Sequence, residues 1–328
     1  MVIIVTGAAG FIGFHLSLKL IKSGFNVIGI DNINEYYDIE LKKNRIKQLK
    51  KYKNFVFKKI DINNLGLKNY LKKNKIKIIV HLAAQAGVRY SIQHPELYFE
   101  SNLKGFFNIL EISRFLKIKH LVFASTSSVY GNNKNFPLKE EYNTDKPLSF
   151  YAATKKSNEV LAHSYSNIYK LPITGLRFFT VYGPYGRPDM ALYLFTKKIL
   201  NNSKLALFNN GRHERDFTYI DDVTDGIIGA IKNPSRESVP FRIFNLGSDN
   251  PRKLKSYLKL IENNLSKKGS IKKLPLQKGD VIKTHASIDR AKKYIKYSPK
   301  ITIDIGIKKF IEWYKNYNKW KLILKILQ

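Results

Sequence analysis

Tyr151 and Lys155 are a pair of side chains that could move a proton on a bound molecule. They are four residues apart in a segment of helical periodicity, so they share one face of the helix. A phenol with an ordinary pKa of about 10 is a poor base at neutral pH, but a nearby ammonium favours the phenolate. The hydroxyl run from Ser125 to Ser128 lies upstream and offers hydrogen-bond donors. The combination indicates removal of a proton from a hydroxyl while a hydride leaves the same carbon.

The spacing of Tyr151 and Lys155 alone is weak evidence, because it occurs often by chance. The alternative interpretation is a surface aromatic ring beside a solvated lysine. The hydroxyl run upstream favours the catalytic interpretation.

A hydride needs an acceptor, and a glycine-rich turn near the N-terminus predicts one. Gly7, Gly10 and Gly13 follow a short apolar run and open a helical segment. Such a turn brings backbone N–H groups and a helix N-terminus close to a pyrophosphate. Asp31 ends the next predicted strand, where a carboxylate accepts hydrogen bonds from a ribose diol and repels a 2′-phosphate. The pattern therefore favours NAD over NADP; the alternative is a turn that only packs helix on strand.

These groups must be positioned by the secondary structure, in which strands and helices alternate. Short apolar runs, typical of buried parallel strands, predict strands at Val2–Val5, Asn26–Ile30, Phe55–Phe57, Ile76–Val80, His120–Ala124, Pro172–Phe179 and Phe241–Leu246. Helical periodicity covers Phe11–Ile21, Leu97–Leu116, Tyr151–Tyr169, Met190–Leu200, a segment from Asp221, Lys253–Leu265 and Ile303–Tyr317. The alternation predicts an α/β fold with a Rossmann-type doubly wound parallel sheet.

The regular alternation of strands and helices ends at Gly183, where glycines and prolines cluster. We predict an NAD-binding Rossmann domain over residues 1–182, with returning segments at about 216–247. Residues 183–215 and 248–328 are predicted to form a smaller, mixed α/β substrate domain at the C-terminal side.

The composition argues against several other classes of function. The 328 residues carry a net charge of +33, with 58 basic and 25 acidic residues. Lysines spread over the predicted helix surfaces, which indicates compositional bias rather than a nucleic-acid site, although the field would attract an anionic substrate. The chain has no cysteine, hence no thiolate metal site, and we predict no metal. The absence of a leader and of any apolar run of about 18 residues predicts a cytoplasmic protein without a transmembrane segment.

Several motifs resemble the extended short-chain dehydrogenase/reductase family. They are Thr6 to Gly13, His81 to Ala84, Ser125 to Gly131, Tyr151 to Lys155 and Arg215 to Phe217. Within that family the chain is similar to nucleotide-sugar epimerases, and most of all to the UDP-glucuronate 4-epimerase group. That finer likeness rests on Ala86 to Ser91 and on Leu176 to Ala191, in which the run Arg187 to Ala191 discriminates best.

The resemblance implies a redox-neutral reaction in which NAD stays bound. Tyr151 would deprotonate the 4-hydroxyl while hydride passes from C4 to NAD. The flat 4-keto sugar would then turn about its pyrophosphate link, and the hydride would return to the opposite face. Lys155 would tune Tyr151 and hold the nicotinamide ribose, and Thr126 would hydrogen-bond the sugar O4.

The predicted cofactor site consists of strand-end and glycine-turn residues. They are Gly7, Gly10, Phe11, Ile12, Gly13, Asp31, Asn32, Asp61, Ile62, Leu82, Ala83, Ala84, Asn102, Tyr151, Lys155 and Phe178.

Two hydroxyl residues separate the chain from neighbouring groups of the family. Related 4,6-dehydratases have Asp-Glu at the positions of Ser127 and Ser128, and UDP-glucuronate decarboxylases have Glu at Ser128. The chain thus lacks the acid/base pair that elimination needs. The alternative role of Ser127 and Ser128 is to cap a turn.

A substrate carboxylate would need a cradle of donors. Arg187 could supply charge, and Thr126, Ser127, Ser128 and Thr180 could supply neutral donors. An uncharged UDP-glucose would leave Arg187 unpaired; the alternative is an arginine that bonds loop carbonyls.

The resemblance places the rest of a UDP-sugar on three residues and leaves alternatives open. Arg215 would bind the diphosphate and Asp280 the uridine ribose, while Arg89 assists or serves another purpose. UDP-glucose or a UDP-N-acetylhexosamine remains an alternative substrate, and an NAD-binding regulator the alternative outside enzymes. The resemblance also implies a homodimer that pairs Leu97–Leu116 and Tyr151–Tyr169, and no specific nucleic-acid partner.

Overall fold

The computed structural model describes residues 1–277 and 279–326, with side chains up to Lys319. The end of the second predicted domain, residue 328, lies outside the described residues.

A seven-stranded parallel sheet forms the centre of the molecule. The strands of the described chain are β1 Val2–Thr6, β2 Asn26–Asp31, β3 Phe55–Lys59, β4 Ile78–His81, β5 His120–Thr126, β6 Ile173–Phe178, β7 Thr180–Tyr182, β8 Leu205–Phe208, β9 Glu214–Arg215, β10 Phe217–Tyr219, β11 Phe241–Leu246, β12 Arg252–Lys253 and β13 Ile271–Leu274. The central order is β11-β6-β5-β4-β1-β2-β3, and all neighbours are parallel. This confirms the predicted Rossmann-type doubly wound fold. The order reverses between β1 and β4, where a crevice opens outside the carboxyl ends of the strands.

Helices cover both faces of the sheet. They are α1 Phe11–Lys22, α2 Ile39–Leu49, α3 Leu67–Lys72, α4 Tyr90–Gln93, α5 Pro95–Tyr98, α6 Gly105–Phe115, α7 Phe150–Tyr169, α8 Ala191–Leu200, α9 Ile220–Lys232, α10 Leu254–Leu265, α11 Asp289–Ile295 and α12 Ile303–Ile326. The period-two alternation of β1 shows how the two cores separate: Ile3 and Val5 join the core beneath α1, α2 and α9, and Ile4 joins the core beneath α3, α6 and α7.

The helical prediction over Leu97–Leu116 is confirmed as far as Phe115, but the type of helix changes within it. The segment consists of the end of α5, a π-helical stretch at Phe99–Lys104 and α6. Asn102 lies inside the π-helical stretch, is 1% exposed and bonds both backbone groups of Gln85. Such a wide turn frequently marks a functional site, and here it places Asn102 against the loop that follows β4.

Short sheets build the region beyond Gly183. Strand β10 pairs with β7 and β13 with β8, both parallel, while β12 pairs with β9 antiparallel. Strand β11 returns to the edge of the central sheet beside β6. Among the described residues, no helix combines the length and hydropathy needed to cross a bilayer.

Candidate active site

A cavity of about 1100 Å³ occupies the crevice at the carboxyl ends of the strands. Its wall includes the glycine turn after β1, the ends of β2 and β4, the hydroxyl run after β5, the first turns of α7 and the loop after β7. The cavity is at or above the upper end of the size range of ligand pockets, which span roughly 300–1,000 Å³.

The glycine turn has the geometry of a phosphate cradle. Gly7 has a φ of +71°, and a Cβ there would lie 2.8 Å from the backbone N of Ala83. A Cβ on Gly13 would collide with the carbonyl oxygen of Gly7. No side chain of the described residues caps α1 at Gly10, so its N-terminal N–H groups remain available to a ligand. The turn therefore fits the pyrophosphate of a dinucleotide.

Asp31 lies at the predicted ribose site in the cavity wall. Its carboxylate accepts hydrogen bonds from the backbone N of Ala9 at 3.0 Å and of Ile33 at 2.7 Å. Burial raises the pKa of Asp31, and the N–H of Ile33 and the charge of Lys42 oppose that shift. A carboxylate has about four lone-pair positions, so Asp31 keeps acceptor capacity for a ribose diol.

Lys42 is a residue of this site that the sequence analysis missed. It lines the cavity, and its Nζ donates to the backbone O of Asn34 at 2.6 Å and to its side-chain Oδ1 at 2.5 Å. Burial lowers the pKa of Lys42 to about 8. The signal that could have identified it is its place on the helix directly after the loop of Asp31, but α2 was not among the predicted helices.

Arg45, also missed, ties the glycine turn to the loop after β7. It is fully buried, and its guanidinium donates to the backbone O of Ala9 at 2.8 Å and of Tyr185 at 2.5 Å. Arg45 therefore holds both the glycine turn and the loop that carries Arg187.

The predicted catalytic side chains lie together in the cavity wall. Tyr151 and Lys155 are on α7, and Thr126 ends β5. Lys155 is 2% exposed, and its Nζ donates to the carbonyl of Ala124 at 3.0 Å. The N–H of Tyr151 donates to Ser91 Oγ at 3.2 Å, which fixes the start of α7 against α4.

Thr126 starts the tight turn that presents the hydroxyl run. Its Oγ1 accepts a hydrogen bond from the backbone N of Ser128 at 3.2 Å, so Thr126 caps the 3₁₀ helix Ser127–Tyr130. Ser127 and Ser128 both line the cavity, and so do Thr180 and Phe178. The run is therefore a cap and a part of the cavity wall at once.

Burial dominates the pKa values of the catalytic pair. Burial raises the pKa of Tyr151, and the hydrogen bond with Thr126 and the charge of Arg187 act in the opposite direction. Burial lowers the pKa of Lys155 to about 8. Thr126 and Arg187 counteract the rise at Tyr151, and the ammonium of Lys155 is held on Ala124; the predicted tuning of Tyr151 by Lys155 stays a prediction.

A buried ion pair supports α7 below the catalytic residues. Glu159, one turn after Lys155, accepts from Arg177 Nε at 2.9 Å and Nη2 at 2.8 Å. Ser125 Oγ donates to the same carboxylate at 2.6 Å, and both charged side chains are 3% exposed. These bonds fix the register of α7 on β5 and β6.

Arg187 is already paired in the structure. Its Nε donates to Asp189 Oδ1 at 3.0 Å, and its Nη2 makes a second bond to Asp189 Oδ2. Burial acts to lower the pKa of Arg187, but the Asp189 carboxylate outweighs it and the net shift is upward. The expectation that an uncharged sugar would leave Arg187 unpaired is therefore wrong, because Asp189 pairs with it, while the predicted contact of Arg187 with a substrate carboxylate stays a prediction.

A second cluster lies at the far end of the cavity. Arg215 Nη2 donates to Asp280 Oδ1 at 2.9 Å, and His213 Nε2 lies 3.2 Å from Asp280 Oδ2. Burial raises the pKa of Asp280, but His213 and Arg215 hold it below its usual range. Arg89 lies over the Phe208 ring at 4.9 Å and also lines the cavity.

The structure thus gathers nearly all of the predicted site residues in one cavity. Asn32, Asp61 and Ile62 line it beyond Asp31, and Leu82, Ala83 and Ala84 line it after β4. Asn102 is the exception: it is not part of the wall, and it holds Gln85 and, at 3.1 Å, Thr154 Oγ1. Its predicted contact with a cofactor stays a prediction.

The comparisons with known proteins cover almost the whole chain. A model of the NAD dependent epimerase/dehydratase family matches residues 3–247. Protein CapI of Staphylococcus aureus is 46% identical over 334 residues, 97% of this chain and 100% of the relative. A probable UDP-glucuronate 4-epimerase of Rhizobium meliloti is 40% identical over 96% of this chain and 98% of its own.

The solved structure of UDP-glucuronic acid 4-epimerase from Bacillus cereus, in complex with UDP-glucuronic acid and NAD, is also similar. It has a TM-score of 0.91 and 34% identity, over 97% of this chain and 100% of that one.

Proposed function

The chain belongs to the NAD-dependent epimerase/dehydratase family, and we propose that it interconverts UDP-glucuronate and UDP-galacturonate. It is an NAD-dependent nucleotide-sugar 4-epimerase, and the uronate is the finer assignment. The proposal is supported by one observation above all: the glycine turn, Tyr151, Lys155 and the donor-rich end with Arg187 line a single cavity.

The proposed chemistry divides between the cofactor and the side chains. NAD, when bound, takes a hydride from C4 and gives it back, and its positive ring favours the phenolate of Tyr151. Tyr151 takes the proton of the 4-hydroxyl and later returns it. Thr126, which lines the same cavity as Tyr151, donates to O4, and Lys155 tunes Tyr151 and holds a ribose hydroxyl. The 4-keto sugar turns about its diphosphate link between the two proton transfers.

The proposed binding sites follow the cavity from end to end. The glycine turn, Asp31 and the loop after β4 hold NAD, and Arg215 with Asp280 holds the UDP end. Ser127, Ser128, Thr180 and Arg187 surround C6, and Ser127 and Ser128 supply no carboxylate for elimination. We also propose that residues 183–215 and 248–328 act as the substrate domain.

A substrate panel tests the proposal. The purified protein, with its retained nucleotide identified after heat release, is incubated separately with UDP-glucuronate, UDP-glucose and UDP-N-acetylglucosamine, and the products are separated by chromatography. We expect a mixture of UDP-glucuronate and UDP-galacturonate without net NADH. Conversion of UDP-glucose with no conversion of UDP-glucuronate would reject the uronate assignment.

A 4-epimerase of UDP-glucose is the second candidate, and one observation favours it. Because Asp189 pairs with Arg187, a sugar without a carboxylate leaves no unpaired charge at that position. Nucleotide retention with no conversion of any sugar in the panel would instead favour the NAD-binding regulator.

A homodimer is proposed from the outer faces of α6 and α7. These helices pack on each other, and exposed apolar side chains follow their outer faces. Phe107 is 47% exposed, and Val160 and Ile168 are 57% and 62% exposed. Sedimentation velocity should show a dimer, and Val160→Glu should shift it toward the monomer; a wild-type monomer at micromolar concentration would contradict the proposal.

A further inference from the structure

Three side chains in the cavity wall are joined by hydrogen bonds, and we call them the clasp: Tyr36, Asp189 and Arg187. Tyr36, in the loop after β2, donates its OH to Asp189 Oδ2 at 3.1 Å. Asp189 accepts two bonds from Arg187, whose guanidinium lies 5.9 Å from the Tyr36 ring. The clasp therefore joins the cofactor side of the cavity to the loop after β7.

The backbone opposite leaves room for the clasp. Gly87 has a φ of +108°, and a Cβ on it would lie 2.6 Å from the Tyr36 OH. The Tyr36 ring packs on Tyr90 at 4.9 Å between centroids. Tyr36 is thus held on three sides, and it keeps Asp189 turned toward Arg187.

The clasp leaves Arg187 able to bind another acceptor. A guanidinium has five N–H groups. Asp189 occupies two of them, one on Nε and one on Nη2. The remaining donors belong to a side chain that lines the cavity and whose charge acts on Tyr151.

A full positive charge at this position would hinder epimerisation of a uronate. A charge-assisted, bidentate pair with a carboxylate is among the strongest hydrogen-bonded contacts in proteins. The keto sugar must change its contacts each time it turns, and binding that is equally tight in the ground state does not raise kcat. An enzyme that turns a charged sugar gains from a weakened grip on the charge.

We propose that Asp189, held by Tyr36, weakens the grip of Arg187 on the substrate carboxylate so that the keto sugar can turn. Asp189 is in this sense a specificity-determining residue, because it lets one cavity hold a uronate and release it. The inference rests on the proposed function, since it requires a uronate substrate.

The test is Asp189→Asn, which keeps an oxygen acceptor for Arg187 and removes the charge. Affinity for UDP-glucuronate and UDP-glucose is measured by calorimetry in a Tyr151→Phe background, and kcat is measured with Tyr151 intact. We expect Asp189→Asn to tighten UDP-glucuronate binding about five-fold or more, to leave UDP-glucose within about two-fold, and to lower kcat for the uronate. In an Arg187→Gln background the substitution should have no such effect.

The matched control is Asp225→Asn, which removes one negative charge from the surface pair with Lys19. It should change neither affinity nor kcat. The ratio of the affinities for UDP-glucuronate and UDP-glucose corrects for partial loss of folded protein. If Asp189→Asn does not retain its nucleotide, Asp189→Ser is used in its place.

The outcomes separate the inference from the proposed function. Weaker or unchanged UDP-glucuronate binding in Asp189→Asn, in an enzyme whose wild type converts that sugar, overturns the inference and leaves the proposed function standing. Failure of the wild type to convert UDP-glucuronate overturns both.

Discussion

At the scale of single residues, the proposed proton transfer depends on one phenol in the cavity wall. Tyr151 is partly buried there, and burial raises its pKa while Thr126 and Arg187 oppose the rise. Tyr151→Phe should retain the nucleotide and the fold but lower kcat by about 10²–10⁴, because it removes the proton acceptor. Turnover measured by chromatography under saturating substrate, with Tyr169→Phe as a tyrosine control on the same helix, checks this. Retention of most of the wild-type kcat would remove Tyr151 from the mechanism.

Lys155 shows a conflict between function and stability. Its folded-state pKa of about 8 lies below the ordinary value of 10.5 because burial penalises the charged form. Below pH 8 the lysine is charged in both states, so the folded state bears the full penalty. Between pH 8 and 10.5 only the unfolded chain keeps the proton, so this penalty fades and stability rises with pH.

We therefore expect Lys155→Met to unfold at a higher temperature than the wild type at pH 7, while epimerase activity is lost. The gain has an upper limit of about 3 kcal/mol, and it should shrink between pH 8 and 10.5. Thermal unfolding of both proteins across that pH range measures the difference. A Lys155→Met variant that is less stable at pH 7 would show that the bond to Ala124 outweighs the burial of the charge.

The sequence was sufficient for residues whose chemistry depends on local spacing. The glycine turn and the Tyr151–Lys155 pair each lie within a few residues, so one helix or one turn places them. Lys42 and Asp189 acquire their roles from distant contacts, Lys42 with the loop after β2 and Asp189 with Tyr36. In a chain rich in lysine, Lys42 could be distinguished only by its place on α2, which the sequence analysis did not predict.

At the scale of elements, the position of α7 depends on the buried contact between Glu159 and Arg177. Removing the Glu159 charge leaves a buried guanidinium without its counterion. We expect Glu159→Gln to lower the free energy of unfolding by about 3–5 kcal/mol, as measured by urea denaturation. Glu237→Gln breaks a pair whose glutamate is 60% exposed, and it should cost about 1 kcal/mol or less.

The double variant Glu159→Met, Arg177→Met separates two explanations of such a loss. Either the ion pair stabilises the fold in itself, or each buried charge only needs the other as its counterion. Hydrophobic replacement of both partners should restore much of the loss, because neither charge then needs burial. If it is as unstable as Glu159→Gln alone, then the bond of Ser125 to Glu159 carries more of the stability than the ion pair.

Helices and strands were easier to predict than irregularities within them. Apolar runs identified the seven central strands because parallel strands are buried on both faces. Helical periodicity identified the segment Leu97–Leu116 but not the π-helical stretch inside it, where Asn102 bonds with Gln85, because apolar periodicity does not encode those bonds.

At the scale of the whole molecule, the net charge is +33, and part of it lies far from the cavity. Lys50 and Lys53 precede β3, Lys77 precedes β4 and Lys119 precedes β5, and all four are exposed. Because the strands are parallel, these lysines lie at the amino edge of the sheet, opposite the cavity. We therefore expect these lysines to attract an anionic nucleotide sugar through a long-range field and not through contact at the cavity.

Such a field predicts how turnover depends on salt. The Debye length is about 10 Å at 0.1 M salt and about 3 Å at 1 M, so salt weakens attraction from distant lysines first. We expect kcat/KM for the nucleotide sugar to fall several-fold between about 20 and 500 mM NaCl through a rise in KM. kcat should stay nearly constant, because Lys155 is buried, Tyr151 and Arg187 are only partly exposed within the cavity wall, and charges at such positions are less screened than surface lysines. Initial rates at several salt concentrations, repeated with sucrose in place of salt, separate screening from solvent effects. A kcat/KM that is independent of salt would mean that the lysines contribute nothing to capture of the substrate, and that their abundance reflects composition alone.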